Sequence, residues 1–323
     1  MKTKMLILLV TILFFVTGCG SNTDTITIYT SAEENRNQEL IAKLAEKFPN
    51  LNINVQPLAT GNSAAKIKAE GTAVEADIIL ALETAHMEAL KDNFADLSYY
   101  DDSHYVEGIN PDHNKYLIYE KYTASIIIDK TYFEKNNLDY PTSYEDLLNP
   151  AYSGLIAMPD PKTSGTGYMY YLNVVNIMGK DKALEYFDNL SANIKQFTTS
   201  GSGPISMLKQ GEIAIAMGMT YQGVEEISKG ANFEIIELDT KTPYNTTSVA
   251  IISGRENKAN VKEVFEYITT EFSKYDKENY VPGKILKDQE NKIENYPANL
   301  TDADMTSITD SNIKDQLISE WKY

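Results

Sequence analysis

Cysteine is almost missing from this chain: among 323 residues only Cys19 is present, so no internal disulfide can form and that thiol needs another explanation. Basic charge is also short, with 29 Lys and Arg against 46 Asp and Glu, a net of −17. That balance excludes a nucleic-acid binder, which must neutralise phosphates with Lys and Arg. It likewise excludes electrostatic docking on an anionic membrane, and leaves a surface charge that mainly favours solubility. Long apolar runs are absent beyond the first, Met5 to Val16, which at about a dozen residues falls short of the roughly 20 needed to span a bilayer. There is no internal repeat and no low-complexity segment.

The short apolar run has a setting. Lys2 and Lys4 precede it and Val16-Thr17-Gly18-Cys19 follows it, the order of a secretory leader ending in small residues. The Val-Thr-Gly-Cys end resembles the bacterial lipobox, which implies a signal peptide over residues 1–18 and lipidation of Cys19. A plain signal peptide with an incidental cysteine is the alternative. Removing residues 1–18 takes away two lysines and no acid, leaving 27 basic against 46 acidic side chains, a net of −19. Residues 19–25 are small and polar and read as a tether. The remaining chain, about 300 residues, exceeds one ordinary core and is expected to form two domains.

From Ile26 onward, period-two runs alternate with helical periods. Strands are expected at 26–30, 51–58 and 76–82, and helices at 35–48, 63–70 and 84–92. A β-branched run, Tyr122 to Ile128, follows a Tyr-rich irregular stretch and marks departure from the first domain. A second series follows, with helices expected at 143–148, 167–178, 181–190 and 204–210, and strands at 155–158, 194–197 and 213–219. Further strands are expected at 233–238 and 247–252, an amphipathic helix at 260–272, and a tail from 276 to 323 with short helical pieces and no clear period. Strand–helix alternation predicts an α/β fold with a mostly parallel sheet.

Three turns follow a strand, carry hydroxyl or glycine residues and open a helix: Thr60-Gly61-Asn62-Ser63, Thr163-Ser164-Gly165-Thr166-Gly167 and Thr199-Ser200-Gly201-Ser202-Gly203. Small residues there let a ligand approach unpaired helical amides, and the dipole favours an anion. A single such turn is usually only an N-cap; three in one chain point to a site. Tyr168 and Tyr171 share a helical face and read as packing. His86, His104 and His113 are too scattered for a metal pattern and read as solvated.

Five segments in order and spacing resemble the type 2 solute-binding proteins of ABC importers: Ile26 to Ser31, Ala76 to Ile79, Asp160 to Tyr168, Phe197 to Ser202 and Gly211 to Ala216. The subgroup is that of ferric-ion, sugar-phosphate, thiamine and 2-aminoethylphosphonate binders. The resemblance spans about residues 26–270. It implies a two-lobed periplasmic-binding-protein-like type II fold, with hinge strands and a ligand cleft between the lobes. Lobe 1 is expected to comprise residues 26–122 plus 242–323, and lobe 2 residues 123–241. It also implies an extracytoplasmic, membrane-anchored monomer that hands its solute to a permease, with no cofactor.

The residues matching the family's anion grip are Ser164, Gly165 and Thr166, with Ser200 and Ser202 as a second hydroxyl turn. Ser31, Gly61, Asn62 and Ser63 join them as ligand candidates. Ferric-ion members carry two consecutive tyrosines after the strand equivalent to 213–219; here Tyr221 is followed by Gln222, and the family's histidine near the first strand is absent. An organic phosphonate or phosphate ester is therefore expected, with Glu33, Glu83 and Tyr221 offered to an ammonium group. The alternative is ferric iron on Glu33, Glu83 and Tyr221. A second alternative is a serine acyl-transfer enzyme, since Ser63-Ala64-Ala65-Lys66 is a Ser-x-x-Lys with Lys162-Thr163-Ser164 downstream.

Overall fold

A computed structural model describes residues 25–298 and 300–323. The leader, Cys19 and the tether up to residue 24 lie outside the described residues. The first half opens β1 (Thr25–Thr30), α1 (Glu34–Lys47), β2 (Asn52–Pro57), α2 (Thr60–Glu70), β3 (Ile78–Glu83), α3 (Thr84–Ala89) and β4 (Leu117–Asp129). It continues with α4 (Lys130–Asn136), β5 (Ile156–Pro159), α5 (Gly165–Met178), α6 (Lys180–Leu190), β6 (Ile194–Thr198) and α7 (Gly203–Lys209). Then come β7 (Ile215–Met219), α8 (Thr220–Ser228), β8 (Phe233–Ile236), β9 (Tyr244–Ile251), α9 (Val261–Tyr267), α10 (Ser273–Asn279) and α11 (Ser311–Glu320).

The strands run in the order β2-β1-β3-β9-β4-β7-β5-β6, with β8 also paired to β4. The expectation of a mostly parallel sheet is corrected. β1 pairs in parallel with β2 and β3, and β5 with β6 and β7, but every pairing of β9 and β4 is antiparallel. Two parallel ends are thus joined through an antiparallel centre. The chain runs out along β4, builds the whole α4-to-β8 series and returns along β9, so the outgoing and returning strands lie side by side in opposite directions.

β4 explains its own role. It is buried along nearly all of its 13 residues, as a β-branched run covered on both faces should be. Its first half, Leu117 to Thr123, pairs with β9; from Ala124 on it pairs with β7 and β8. The handover falls at Thr123, opposite Tyr244, where β9 begins.

Apolar side chains fall into clusters on either side of that point. One gathers β1, β3, α1, the early part of β4, β9 and α9 around Ile28, Leu80 and Phe265. Another gathers the later part of β4, α5, α6 and β7 around Tyr170, Phe187 and Met217. A smaller one surrounds Ile127, Ala157 and Ala216. Tail residues Ala303, Met305, Ile308, Leu317 and Trp321 belong to the second cluster, although the expected lobe limits grouped 242–323 with the first.

Several helices begin or end differently from expectation. The 260–272 helix is α9 followed by a single π turn at Ile268–Phe272, where Thr269 Oγ1 donates to the Phe265 carbonyl at 2.8 Å. On α1, Ile41 is 48% exposed, while Leu40 and Leu44 are buried. α4 and α8 are additional to the expected helices, while α11 falls in the tail where short helical pieces are expected. The Ser143–Leu148 segment is a 3-10 turn at Glu145–Leu148.

Candidate functional site

Beyond the carboxyl ends of β1, β3, β5 and β7 lies a cleft of about 500 Å3. Ligands in open α/β sheets sit in this position, outside strand ends and against helix amino ends. One wall carries Ser31 and Glu33 after β1, Thr60 and Gly61 at the start of α2, and Glu83 and His86 around the end of β3. The other carries Ser164, Gly165 and Thr166 opening α5, Ser200 to Ser202 before α7, and Tyr221 and Gln222 in the first turn of α8. Of the sequence candidates, Ser31, Glu33, Gly61, Glu83, Ser164, Gly165, Thr166, Ser200, Ser202 and Tyr221 are brought together there. Asn62 and Ser63 are not: α2 starts at Thr60, which turns Asn62 to the exterior and buries Ser63 away from the cleft.

Local geometry accounts for the wall residues. A register shift between Ile79 and Leu82 bends the end of β3, with Ala81 at φ +56°, a strained conformation for a residue with a Cβ. Beyond the bulge Glu83 pairs with Thr247 of β9, and its carboxylate is buried. Across the cleft, Ser164 caps α5 by accepting from the Gly167 amide at 3.5 Å. The missing side chain at Gly165 leaves the space that the Glu83 carboxylate fills, since a Cβ there would fall on it. Gly201 is similarly tight, with its would-be Cβ 2.6 Å from Thr166 Oγ1.

Charges in the lining nearly balance. Glu33, Glu83 and Glu120 face Arg36, Lys162 and Lys314. Arg36, one of the two arginines in the sequence, is buried and donates to Glu33 at 2.9 Å, Glu120 at 2.5 Å and Asp276 at 2.6 Å. Burial pushes the Asp276 carboxyl up, but Arg36 and Lys277 together pull it well below its ordinary range. For Glu120 burial wins over those same cations, and its carboxyl is raised. Sequence reasoning missed Arg36, Glu120 and Lys314; they meet from positions far apart in the chain.

Tyr221 donates to Glu33, and burial, reinforced by the Glu33 charge, raises its phenol well above 10. Glu83 accepts from Asn245 Nδ2 at 2.8 Å, with Lys314 Nζ at 3.6 Å and His86 Nε2 at 3.8 Å. The solvated reading of the histidines is corrected. His86 lines the cleft and burial holds its imidazole below 6.5 against the pull of Glu83. His113 sits 3.0 Å from Glu88, and the His104 ring packs at a tilt against Tyr105, centroids 4.6 Å apart. Tyr168 and Tyr171 are fully buried, as the packing reading expects.

Three buried polar atoms on cleft residues have no partner: Ser31 Oγ, Thr247 Oγ1 and Gln222 Oε1. Leaving such atoms unsatisfied costs about 1–3 kcal/mol each, so a polar occupant of the cleft is favoured. No group of three or more His, Cys, Asp or Glu residues placed to hold a metal occurs among the described residues. The Ser63–Lys66 pair does not form either, since Lys66 Nζ bonds Glu70 at 2.9 Å and that bond raises its ammonium further, the reverse of what a catalytic base requires.

A sequence-family model described as bacterial extracellular solute-binding protein matches residues 71–272. An uncharacterized protein of Haemophilus influenzae is 29% identical over 124 residues, covering 38% of this chain and 36% of that protein. Among solved structures, the periplasmic binding protein P5PA superposes with a TM-score of 0.76 at 24% identity, covering 92% of this chain and 98% of that one. AfuA from Actinobacillus pleuropneumoniae, a periplasmic binding protein with fructose-6-phosphate bound, gives 0.77 at 21%, covering 92% and 97%. A ferric binding protein from Campylobacter jejuni gives 0.73 at 16%, covering 91% and 98%. These superpositions show the two-lobed binding-protein fold.

Proposed function

The chain belongs to the bacterial extracellular solute-binding proteins, and from that premise we propose that it captures a small organic phosphonate or phosphate ester for an ABC permease. The family places it outside the cytoplasm. No helix among the described residues is long and apolar enough to cross a membrane, and Cys19 is proposed as the lipid anchor, with two or more acyl chains giving stable attachment. The protein acts as a receptor and catalyses no reaction.

The observation that carries the ligand class is the set of unpartnered polar atoms, Ser31 Oγ, Thr247 Oγ1 and Gln222 Oε1, in one cleft with the hydroxyls of Ser164, Thr166, Ser200 and Ser202. Hydroxyl donors and the amide end of α5 suit tetrahedral, oxygen-rich groups. The near balance of fixed charges favours a solute that also carries an ammonium, such as 2-aminoethylphosphonate. AfuA's fructose-6-phosphate shows that the same fold accommodates a phosphate ester. Ferric iron is less well served: Tyr221 is held as a phenol and Glu33 is already paired with Arg36.

Thermal melts of the metal-stripped protein with 2-aminoethylphosphonate, fructose-6-phosphate and Fe(III)-citrate test this. A ligand at 100 times its Kd adds about 2.7 kcal/mol. Stabilisation by a phosphonate or phosphate ester, lost in a Ser164→Ala, Thr166→Ala double variant, is expected. Stabilisation by Fe(III) alone, with a visible charge-transfer band that Tyr221→Phe abolishes, overturns the anion reading in favour of iron.

A further inference from the structure

The amino end of α5, the best-formed anion seat in the cleft, faces a carboxylate of the chain itself. Glu83 reaches over from the end of β3 so closely that Gly165 has no room for a Cβ. Its remaining neighbours are those an anion would select: the Asn245 amide nitrogen at 2.8 Å, the Lys314 ammonium at 3.6 Å and His86 at 3.8 Å. α5 runs 14 residues, long enough for a full dipole. A second observation in the same cleft points to a ligand: Thr247 and Gln222 line it, each more than nine-tenths buried, and each keeps an oxygen without a hydrogen-bond partner.

We propose that Glu83 is a built-in occupant of the anion seat at α5, which the solute's acidic group must displace. The proposal rests on the cleft being the solute site and adds how that site selects. Pairing of Glu83 with Thr247 fixes its backbone, so a displaced carboxylate stays inside the cleft. A plain anion then leaves two negative groups side by side. A zwitterion fills the seat and brings a cation to the displaced carboxylate, with Lys314 of α11 as the second positive charge. Glu83 is thereby the residue that makes the cleft prefer zwitterions. Lys314 lies outside the 71–272 family match, so this selectivity device is partly supplied by the tail.

The experiment measures calorimetric affinities of the full chain, wild type, Glu83→Ala and Glu83→Gln, for ethylphosphonate and 2-aminoethylphosphonate, with melts in acetate and inorganic phosphate. Wild type is expected to prefer the aminated phosphonate at least tenfold. Both variants are expected to bind ethylphosphonate at least tenfold more tightly than wild type does and to lose the preference. Acetate or phosphate is expected to stabilise Glu83→Ala, whose seat is vacated, more than wild type. If Glu83→Ala does not fold, the isosteric Glu83→Gln carries the affinity comparison. Unchanged or weaker ethylphosphonate binding in both variants, with equal anion shifts, overturns the displaced-carboxylate proposal and leaves the phosphonate reading standing. Phosphonates ignored by wild type and variants alike, while acetate or phosphate selectively stabilises Glu83→Ala, overturns the phosphonate reading and supports the occupant.

Discussion

Arg36→Met tests whether the buried charge cluster behind the cleft holds the fold in the way its geometry implies. The guanidinium is 3% exposed and serves three carboxylates, with Nε and Nη2 both bonded to Asp276 at 2.8 and 2.6 Å. Lys277 is the only other cation in the cluster; it pairs with Asp276 and lies 4.1 Å from the Tyr119 ring centroid. Two cations thus face Glu33, Glu120 and Asp276, and the substitution leaves one. Removing one partner of a buried ion pair costs about 3–5 kcal/mol, because the remaining charges stay desolvated. At roughly 2.1 cal/mol/K of unfolding entropy per residue, a chain of this size loses about 5–8 °C in Tm.

The pH dependence sharpens the test. Asp276 is held below its ordinary 3.8, so its contribution is full above that value and is lost as pH falls toward the folded pKa. Glu120 is raised above its ordinary 4.5, so it costs stability as pH rises through its folded pKa. Without Arg36, Glu120 rises further, and the deficit of Arg36→Met relative to wild type should be largest near pH 8 and shrink toward pH 5. Thermal melts followed by circular dichroism across that range measure it. A loss below about 1 kcal/mol at pH 7, or one that does not vary with pH, would refute the buried-cluster argument.

Three further outcomes follow from the same geometry. Gly165→Ala places a Cβ on the Glu83 carboxylate, and should weaken solute binding at least about tenfold by calorimetry, since roughly 1.4 kcal/mol of misfit suffices. Trp321→Ala removes the sole tryptophan, a ring packed within 5.0 to 5.5 Å of Tyr171, Phe187, Phe197 and Tyr323; urea titration should show about 3–5 kcal/mol lost. Burial would raise the Glu88 carboxyl, but hydrogen bonds from Lys91, Tyr116 and His113 lower it from 4.5 to about 2. Its contribution is full above 4.5 and is lost between 4.5 and 2, so Glu88→Gln should flatten the acid limb of the stability curve in that window.

Much of the frame could be read directly, and the failures have local causes. β3 announces itself as an apolar run and β4 as a β-branched one, and the three hydroxyl turns line the cleft because each sits between a strand and a helix. The start of α2 is read three residues late: Thr60 opens that helix with no side-chain cap, so no capping residue fixes its first position. α8 escaped notice because Gly223 interrupts its pattern, yet that glycine is required where Ile127 and Ile235 approach within 2.8 Å of its would-be Cβ. α11 carried a usable signal, Asp310 accepting from the Asn312 and Ile313 amides as an N-cap. Arg36 and Glu120 are 84 residues apart, and no local period reports a contact of that span.

The tail accounts for part of the cleft's chemistry and for how closure must work. Val281 lies in the second apolar cluster, Ile285 and Leu286 in the first, and Ala303 in the second again, so this stretch runs along the boundary between them. There Gly283 meets the Lys121 carbonyl too closely for any side chain, and Asp302 pairs with Lys121 beside the β4 handover. Beyond it, Lys322 bonds Asp188 at 2.7 Å, Lys180 bonds Glu320 at 2.8 Å, and Tyr323 stacks on Phe197 at 5.2 Å. α11 is thus fixed to the second cluster, while its Lys314 reaches Glu83 of the first. A hinge motion of the two lobes changes the Lys314–Glu83 and Tyr221–Glu33 distances together, because each pair has one member on either side. A ligand drives such closure only by the difference in its affinity for the two states. A solute that takes over both contacts gains that difference in the closed state, whereas one that reaches only the α5 end leaves Tyr221 and Glu33 to each other.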